Sequence, residues 1–284
     1  MPNSSDATGA SVPPPAAVKK TSELKARILS SLVLGPVVLA LVWLGGWPFR
    51  LLLAAAALIA MREWVVIVGG TDRRPAVLPL ALAAVTVSLA AAVAVGPLAG
   101  AGVALVLAVA VGWSAVGCDR GWMAAGLPYV AFGAVGLDWL RESPQGGLGL
   151  LLFVMLAVWA TDIGAYAAGR TIGGPKLAPR LSPKKTWAGL LGGVAASALT
   201  GALVALAVGA ARPGVAALTG AVLAVVAQAG DLFESAVKRR YGVKDSGTLI
   251  PGHGGLLDRI DGLLTAAAVL ALFHAAAGER IAWW

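Results

Sequence analysis

Apolar runs near 20 residues long, parted by short polar or glycine-rich joints, recur from Ile28 almost to the end of the chain. A helix of about 20 residues crosses the roughly 30 Å hydrocarbon layer of a bilayer, so each run predicts a membrane helix. About nine spans result, near 28–46, 51–69, 76–95, 97–116, 122–140, 147–169, 187–209, 213–234 and 262–278. The third and fourth admit a second reading, as a hairpin that does not fully cross. Short strands of alternating apolar and polar residues are absent, which argues against a transmembrane β-barrel. The expected fold is therefore an all-α polytopic membrane protein, with its N-terminus in the cytoplasm. Residues 1–22 read as a disordered cytoplasmic tail, 23–140 as the N-terminal transmembrane helices, and 141–284 as a catalytic transmembrane region. Two cytoplasmic loops are expected in that last region, at 170–186 and 235–261.

Composition supports the membrane reading. Of 284 residues, 58% are hydrophobic and 13% charged, against roughly 25% charged in a soluble domain. The single cysteine, Cys118, excludes an intramolecular disulfide framework and a cysteine-based zinc site. A net charge of +8 suits loops that face anionic lipid better than it suits nucleic acid. With the N-terminus inside, 17 Lys and Arg fall on the cytoplasmic side and 4 on the other, Arg62 lying within a span. That bias fits the positive-inside rule and sets both polar loops in the cytoplasm. Trp43, Trp47, Trp113, Trp122, Trp139 and Trp187 fall at span ends, as interfacial aromatics do, while Trp159 lies deeper and reads as a packing residue. The run Gly189–Gly193 predicts close approach between helices.

Polar chemistry is concentrated in the C-terminal half. Asp231, Ser235 and Lys238 are spaced by four and three, which puts them on one helical face. A carboxylate such as Asp231 at the end of a span is costly and marks a functional candidate. Asp258 and Asp261, spaced by three, share a face if the ninth helix begins there, where the helix N-terminus favours negative charge. Asp231, Asp258 and Asp261 together suit Mg²⁺, a cation that prefers oxygen ligands and retains substrate phosphates in its shell, with a second cation as an option. Pro251–Gly252–His253–Gly254–Gly255 forms a turn whose amides can approach an anion. Ser182–Pro183–Lys184–Lys185–Thr186–Trp187–Ala188–Gly189 offers Ser182 as a helix cap and two lysines for phosphate. The plainer alternative for these lysines is a basic stop at the membrane boundary. Arg62 and Glu63 read as a local pair without chemistry, and His274 as a packed or interfacial residue.

The stretch from Ser235 to Asp261 resembles the signature of the phosphatidate cytidylyltransferase (CDP-diacylglycerol synthase) family. Ser235, Lys238, Arg239, Lys244, Asp245, Pro251, His253, Gly254, Gly255, Asp258, Arg259 and Asp261 carry the resemblance. The Ser182–Gly189 segment is similar to the family's SPKKTW-x-G, with Ala188 where the family often has Glu or another polar residue. Trp159, Asp162, Ala165 and Tyr166 resemble its W-x-x-D-x-x-A-Y segment. The likeness is strongest from Trp159 to Asp261, and residues 1–120 match only in hydrophobic character.

This resemblance implies transfer of CMP from CTP to phosphatidate, in phospholipid biosynthesis, at the inner membrane of a bacterium. It implies Asp231, Ser235, Lys238, Asp258 and Asp261 as the catalytic set. It implies Ser182, Lys184, Lys185, Thr186, Arg239, Lys244, Asp245, His253, Gly254, Gly255 and Arg259 as substrate-binding residues. CTP, phosphatidate and the bilayer are the implied partners, and the sequence leaves a homodimer open. Two rivals remain: a CTP-dependent lipid kinase of the dolichol or phytol type, and an ion-coupled transporter, whose helices commonly form inverted repeats.

Overall fold

The computed structural model describes residues 32–70, 74–144, 146–249 and 254–277. The expected N-terminal tail, and Pro251 and His253, lie outside the described residues. The helices follow the apolar runs: α1 (Leu32–Leu44), α2 (Gly46–Gly69), α3 (Arg74–Ala94), α4 (Pro97–Ser114), α5 (Arg120–Glu142), α6 (Gly147–Thr171), α7 (Trp187–Ala207), α8 (Pro213–Arg240) and α9 (Leu257–Ala276). Among the described residues, α2 to α9 are long and apolar enough to cross a membrane, and α1 is the shorter ninth. Breaks fall where the sequence supplies glycine. Gly45 and Gly46 take φ of 64° and 52° between α1 and α2, a left-handed conformation that only glycine adopts at little cost.

Helix α5 is the hub. It packs against α2, α3, α4, α6 and α9, and its apolar stretch is the most buried of the eight, at 61%. One apolar core joins α2, α3, α4 and α5 around Trp64, Met61 and Leu127. A second joins the outer turns of α2 and α5 to α6, α8 and α9 around Phe153, Leu223 and Leu270. Helices α6 and α7 meet through small residues, as the Gly189–Gly193 run predicts. A Cβ on Gly193 would stand 2.9 Å from the Thr161 carbonyl oxygen, and one on Gly192 would collide with Ala168. Backbones this close gain dispersion contact without needing a solvent-driven term, which lipid does not provide.

Polar ties hold both ends of α5. At its C-terminal end Arg141 donates to the carbonyls of Val42 and Trp43, and Arg50 pairs with Asp138 (3.1 Å) and Glu142 (3.3 Å). At its N-terminal end Asp119 accepts from the Trp122 amide and pairs with Arg240 of α8 at 3.0 Å. The Arg240 guanidinium hydrogen-bonded to Asp119 holds that carboxyl below the ordinary carboxylate value. The Asp119–Arg240 pair sets the last turn of α8 beside the first turn of α5.

Several sequence expectations change here. Residues 235–240 continue α8 and residues 257–261 open α9, so the expected 235–261 loop shrinks to the connection between them. The 170–186 loop contains a small antiparallel hairpin, β1 (Lys176–Ala178) with β2 (Ser182–Thr186), pairing Lys176 with Thr186 and Ala178 with Ser182. Ser182 therefore lies in a strand and does not cap α7. Thr186 does, accepting from the Gly189 amide at 3.0 Å. Trp43, Trp47, Trp113 and Trp187 are exposed, as interfacial residues should be, but Trp159 is half-exposed rather than packed. His274 is packed, 3.1 Å from the Ser143 hydroxyl and edge-on to Trp139.

Candidate active site

The last three turns of α8 and the first two of α9 carry most of the predicted chemistry. The four–three spacing of Asp231, Ser235 and Lys238 does place them along one side of α8, and Ser235 Oγ donates to Asp231 Oδ1 at 3.3 Å. Hairpin strand β2 brings Lys185 across to the same helix. Its Nζ pairs with Asp231 Oδ2 at 2.6 Å and donates to Gln228 Oε1 at 2.8 Å. Lys185, Gln228 and Asp231 line a polar pocket of about 210 Å³ between α6, α7, α8 and β2, together with Asp162, Tyr166, Lys184 and Thr186. Two sequence segments far apart in the chain, the lysine pair and the α8 carboxylate, thus share one site.

One helical turn on, Lys238 is enclosed. Its Nζ donates to Glu234 Oε2 at 2.6 Å and to Asp258 Oδ1 at 2.5 Å. Asp258 Oδ2 accepts from the amides of Ser246 (2.9 Å) and Gly255 (3.2 Å), so both of its oxygens are engaged within the protein. The Gly255 amide, expected to face a phosphate, serves Asp258 instead. Gly255 is required for another reason: a Cβ there would collide with Ser246 Oγ.

Glu63 of α2 completes this closed unit. It is buried and accepts from Ser246 Oγ (2.9 Å) and from the amides of Leu256 (2.9 Å) and Leu257 (2.7 Å). The expected local pairing with Arg62 gives way to a long-range cap on α9. A carboxylate at a helix N-terminus satisfies orphan amides and complements the dipole.

Asp261 sits within electrostatic reach of Asp231 and Glu234. Asp162 is within reach of Asp231, Lys185 and Arg259. The Tyr129 hydroxyl of α5 is buried near Asp261 and Glu234 and, like Glu234 Oε1, finds no hydrogen-bond partner among the described residues. Arg239, Lys244 and Asp245 stand apart. They are exposed, and Arg239 donates to the Val243 carbonyl of its own connection.

Gln228, Glu234 and Ser246 escaped the sequence reading, and Glu63 was read without a role at the site. Glu234 was available from spacing, four before Lys238. Glu63 was available from cost, since a carboxylate within an apolar span needs a partner or a function. Gln228 carried no comparable signal.

The chain matches the model of the cytidylyltransferase family over residues 25–277. The chain belongs to that family. A phosphatidate cytidylyltransferase of Brucella suis biovar 1 is 44% identical over 268 residues, which span 91% of this chain and 96% of that protein. The phosphatidate cytidylyltransferase of Pseudomonas aeruginosa is 46% identical over 145 residues, 50% of this chain and 53% of that protein. That of Haemophilus influenzae is 43% identical over 143 residues, 49% and 50% of the two chains. The family match begins at residue 25, so family membership extends well N-terminal of the Trp159–Asp261 motifs, into helices that those motifs left unassigned.

Among the described residues no three His, Cys, Asp or Glu side chains converge as a ready metal site. The charge balance nonetheless suits a divalent cation. Asp162, Asp231, Glu234, Asp258 and Asp261 are five carboxylates in one electrostatic network with three cations, Lys185, Lys238 and Arg259. Glu234 Oε1 is a buried acceptor left over. Asp231 and Asp261, from two helices, fit the usual Mg²⁺ pattern of one or two carboxylates completed by substrate phosphates and water. Asp258, engaged twice over, is placed to hold the first turn of α9.

Proposed function

We propose that this protein transfers CMP from CTP to phosphatidate, giving CDP-diacylglycerol and pyrophosphate, at the cytoplasmic face of a bacterial inner membrane. The observation that carries this reading is the Lys185–Asp231 pair in a polar pocket beside Asp261, within a chain that aligns along most of its length with proteins named phosphatidate cytidylyltransferase. A phosphatidate oxygen attacks the α-phosphorus of CTP, the bond from that phosphorus to the α,β-bridging oxygen breaks, and pyrophosphate leaves with the electron pair. The nucleophile is already ionised, so no general base is needed. The task is alignment and charge neutralisation.

The residues divide that task. Lys184 and Lys185 at the pocket offset the triphosphate, and Arg259, at the edge of the same network, offsets the lipid phosphate. Lys238 holds Asp258 and Glu234 in place, and Glu63 fixes the turn from which α9 starts. Asp231 and Asp261 would hold Mg²⁺, which would supply positive charge against the developing pyrophosphate. Gln228, hydrogen-bonded to Lys185, keeps the ammonium turned into the pocket.

The test is an assay of the purified full chain in detergent with CTP, phosphatidate and Mg²⁺. Equimolar CDP-diacylglycerol and pyrophosphate are expected. In a parallel reaction with a polyprenol or phytol in place of phosphatidate, release of CDP with the phosphorylated alcohol, and no pyrophosphate in either reaction, would replace this reading with the lipid-kinase one. Orientation is checked separately: cysteines placed at Lys176 and Lys244 should resist a membrane-impermeant thiol reagent in intact cells, and labelling from outside would reverse the assignment of sides.

A further inference from the structure

A second cavity lies deeper in the bundle, on the opposite flank of α9. Its volume is about 160 Å³ and all of its lining residues are apolar. Helix α9 contributes Leu256, Ile260, Leu263 and Leu264; α2 contributes Leu52, Leu53 and Ala56; α5, α6 and α1 close the rest. The α9 positions follow the i, i+4, i+7, i+8 pattern, a single face of that helix. They cover about 12 Å of helix rise, running from the turn at Leu256 away from the charged end.

The same two turns of α9 carry the polar groups. Arg259 stands one turn before Leu263 and Asp261 one turn before Leu264, so the two flank the cavity-lining face. Arg259 is also within electrostatic reach of Asp162, which lines the polar pocket. Arg259 thus stands beside Ile260, a lining residue of the apolar slot, and within electrostatic reach of the polar pocket. On one side the slot is bounded by α1, which contributes Val38 and Val42 to the lining and leaves Leu34, Val37 and Leu39 exposed. Helix α1 is joined to α2 through Gly45 and Gly46, both at positive φ, with Arg141 holding its C-terminal carbonyls.

We infer that this cavity is the acyl-chain subsite for the anionic lipid substrate, with Arg259 at its mouth gripping the lipid phosphate. The inference rests on the proposed reaction for the identity of the headgroup. A saturated or unsaturated hydrocarbon tail is the occupant that the lining admits, because a wholly apolar slot leaves any polar group without a hydrogen-bond partner. Its position decides between a substrate tail and bulk lipid. A tail in the slot sets its phosphate between Arg259 and Asp261, next to the pocket assigned to the triphosphate. The slot then reads chain length beyond Ala56, towards Leu52, Phe49 and Val42 at its far end.

The test fills the slot and reads chain length. Ala56 lines the cavity and is only partly buried against other residues, so Ala56→Leu adds bulk there with little strain elsewhere. With the full chain in phosphatidylcholine vesicles, Ala56→Leu should lower kcat/KM for a dioleoyl phosphatidate at least tenfold. It should change that for dioctanoyl phosphatidate by less than twofold and leave the KM for CTP unaltered. Leu52→Ala, which widens the slot, should shift preference the other way. Equal losses on both lipids, or no loss on either, would overturn the subsite.

A second readout does not depend on turnover. A phosphatidate bearing a diazirine midway along one acyl chain should label α2 and α9 peptides of the wild type. Unlabelled phosphatidate should displace it while phosphatidylcholine does not, and Ala56→Leu should suppress it. Displacement by phosphatidylcholine as effectively as by phosphatidate would make the cavity a site for ordinary bilayer lipid. If the label behaves as stated but no CDP-diacylglycerol forms, the subsite stands and the proposed reaction falls.

Discussion

Two lysine–carboxylate groupings lie about one helical turn apart on α8, and they differ in what surrounds them. Lys185 and Asp231 meet at 2.6 Å with side chains 18% and 39% exposed, at the wall of a polar pocket. Lys238 meets Glu234 and Asp258 at similar distances, but Glu234 is 1% exposed and the other two 10%. The first grouping can exchange its internal partners for phosphate, because solvent reaches it. The second cannot do so without leaving two carboxylates unpaired in a low-dielectric setting, a state that costs several kcal/mol. Similar chemistry thus serves two purposes: in the proposed reaction the open pair meets the substrate, while the closed triad ties α8 to the start of α9. The distinction comes from burial and not from residue type, since Lys, Asp and Glu occur in both.

The largest expected effect tests the closed triad. Lys238→Met keeps the length of the side chain and removes the charge that links Glu234 to Asp258. Breaking one member out of a buried ion group typically costs about 3–5 kcal/mol. The variant should therefore show a lowered unfolding midpoint in mixed micelles, and activity should fall in proportion to the folded fraction. An unchanged midpoint with a selective loss of kcat would move Lys238 from the scaffold into the substrate site.

Next comes the open pair. Asp231→Asn keeps the size of the side chain and the hydrogen bond from Ser235 but removes a charge that attracts both Lys185 and a divalent cation. Turnover should fall by about 10²-fold or more, equivalent to roughly 2.7 kcal/mol of transition-state stabilisation. The unfolding midpoint should move little, because the carboxylate is 39% exposed and screened there. A similar loss of turnover is expected for Asp261→Asn. Near-full activity with unaltered Mg²⁺ dependence in both variants would make these carboxylates structural and erase the contrast with the triad.

How much of this was legible in the sequence follows the same division. Helix number and rough boundaries were legible because each apolar run had to satisfy its own backbone within the bilayer. The open pair was half legible. Asp231, Ser235 and Lys238 fell on one face by spacing, but Lys185 reaches that face only through a five-residue strand that periodicity did not reveal. The cap behind the closed triad was least legible, because its logic is long-range, whereas Glu234 lies only four residues before Lys238. Glu63 precedes its partners Leu256 and Leu257 by more than 190 positions. Motif resemblance placed Lys238 and Asp258 in one catalytic set without showing that they satisfy each other. It also gave no hint of Ser246, whose amide and hydroxyl tie Asp258 to Glu63.

The smallest effect sharpens the comparison most, because it separates holding the site from forming it. Glu63→Gln preserves the shape of the α9 cap while removing its charge, and turns one acceptor oxygen into a donor facing amide donors. One or two of the three hydrogen bonds from Ser246, Leu256 and Leu257 should be lost, at about 1–2 kcal/mol given the worth of charge-assisted bonds. The open pair does not touch Glu63, so Lys185 and Asp231 should stay in register. The expected signature is faster amide exchange at Ser246, Leu256 and Leu257, a modest fall in the unfolding midpoint and a loss of activity of less than tenfold. Exchange in α6 and α7 should not change. Exchange as slow as in the wild type at those three amides would show that the connection is held by Lys238 and Asp258 alone. A loss of activity as deep as that of Asp231→Asn, without faster exchange, would place Glu63 in the chemistry and dissolve the boundary between the two groupings.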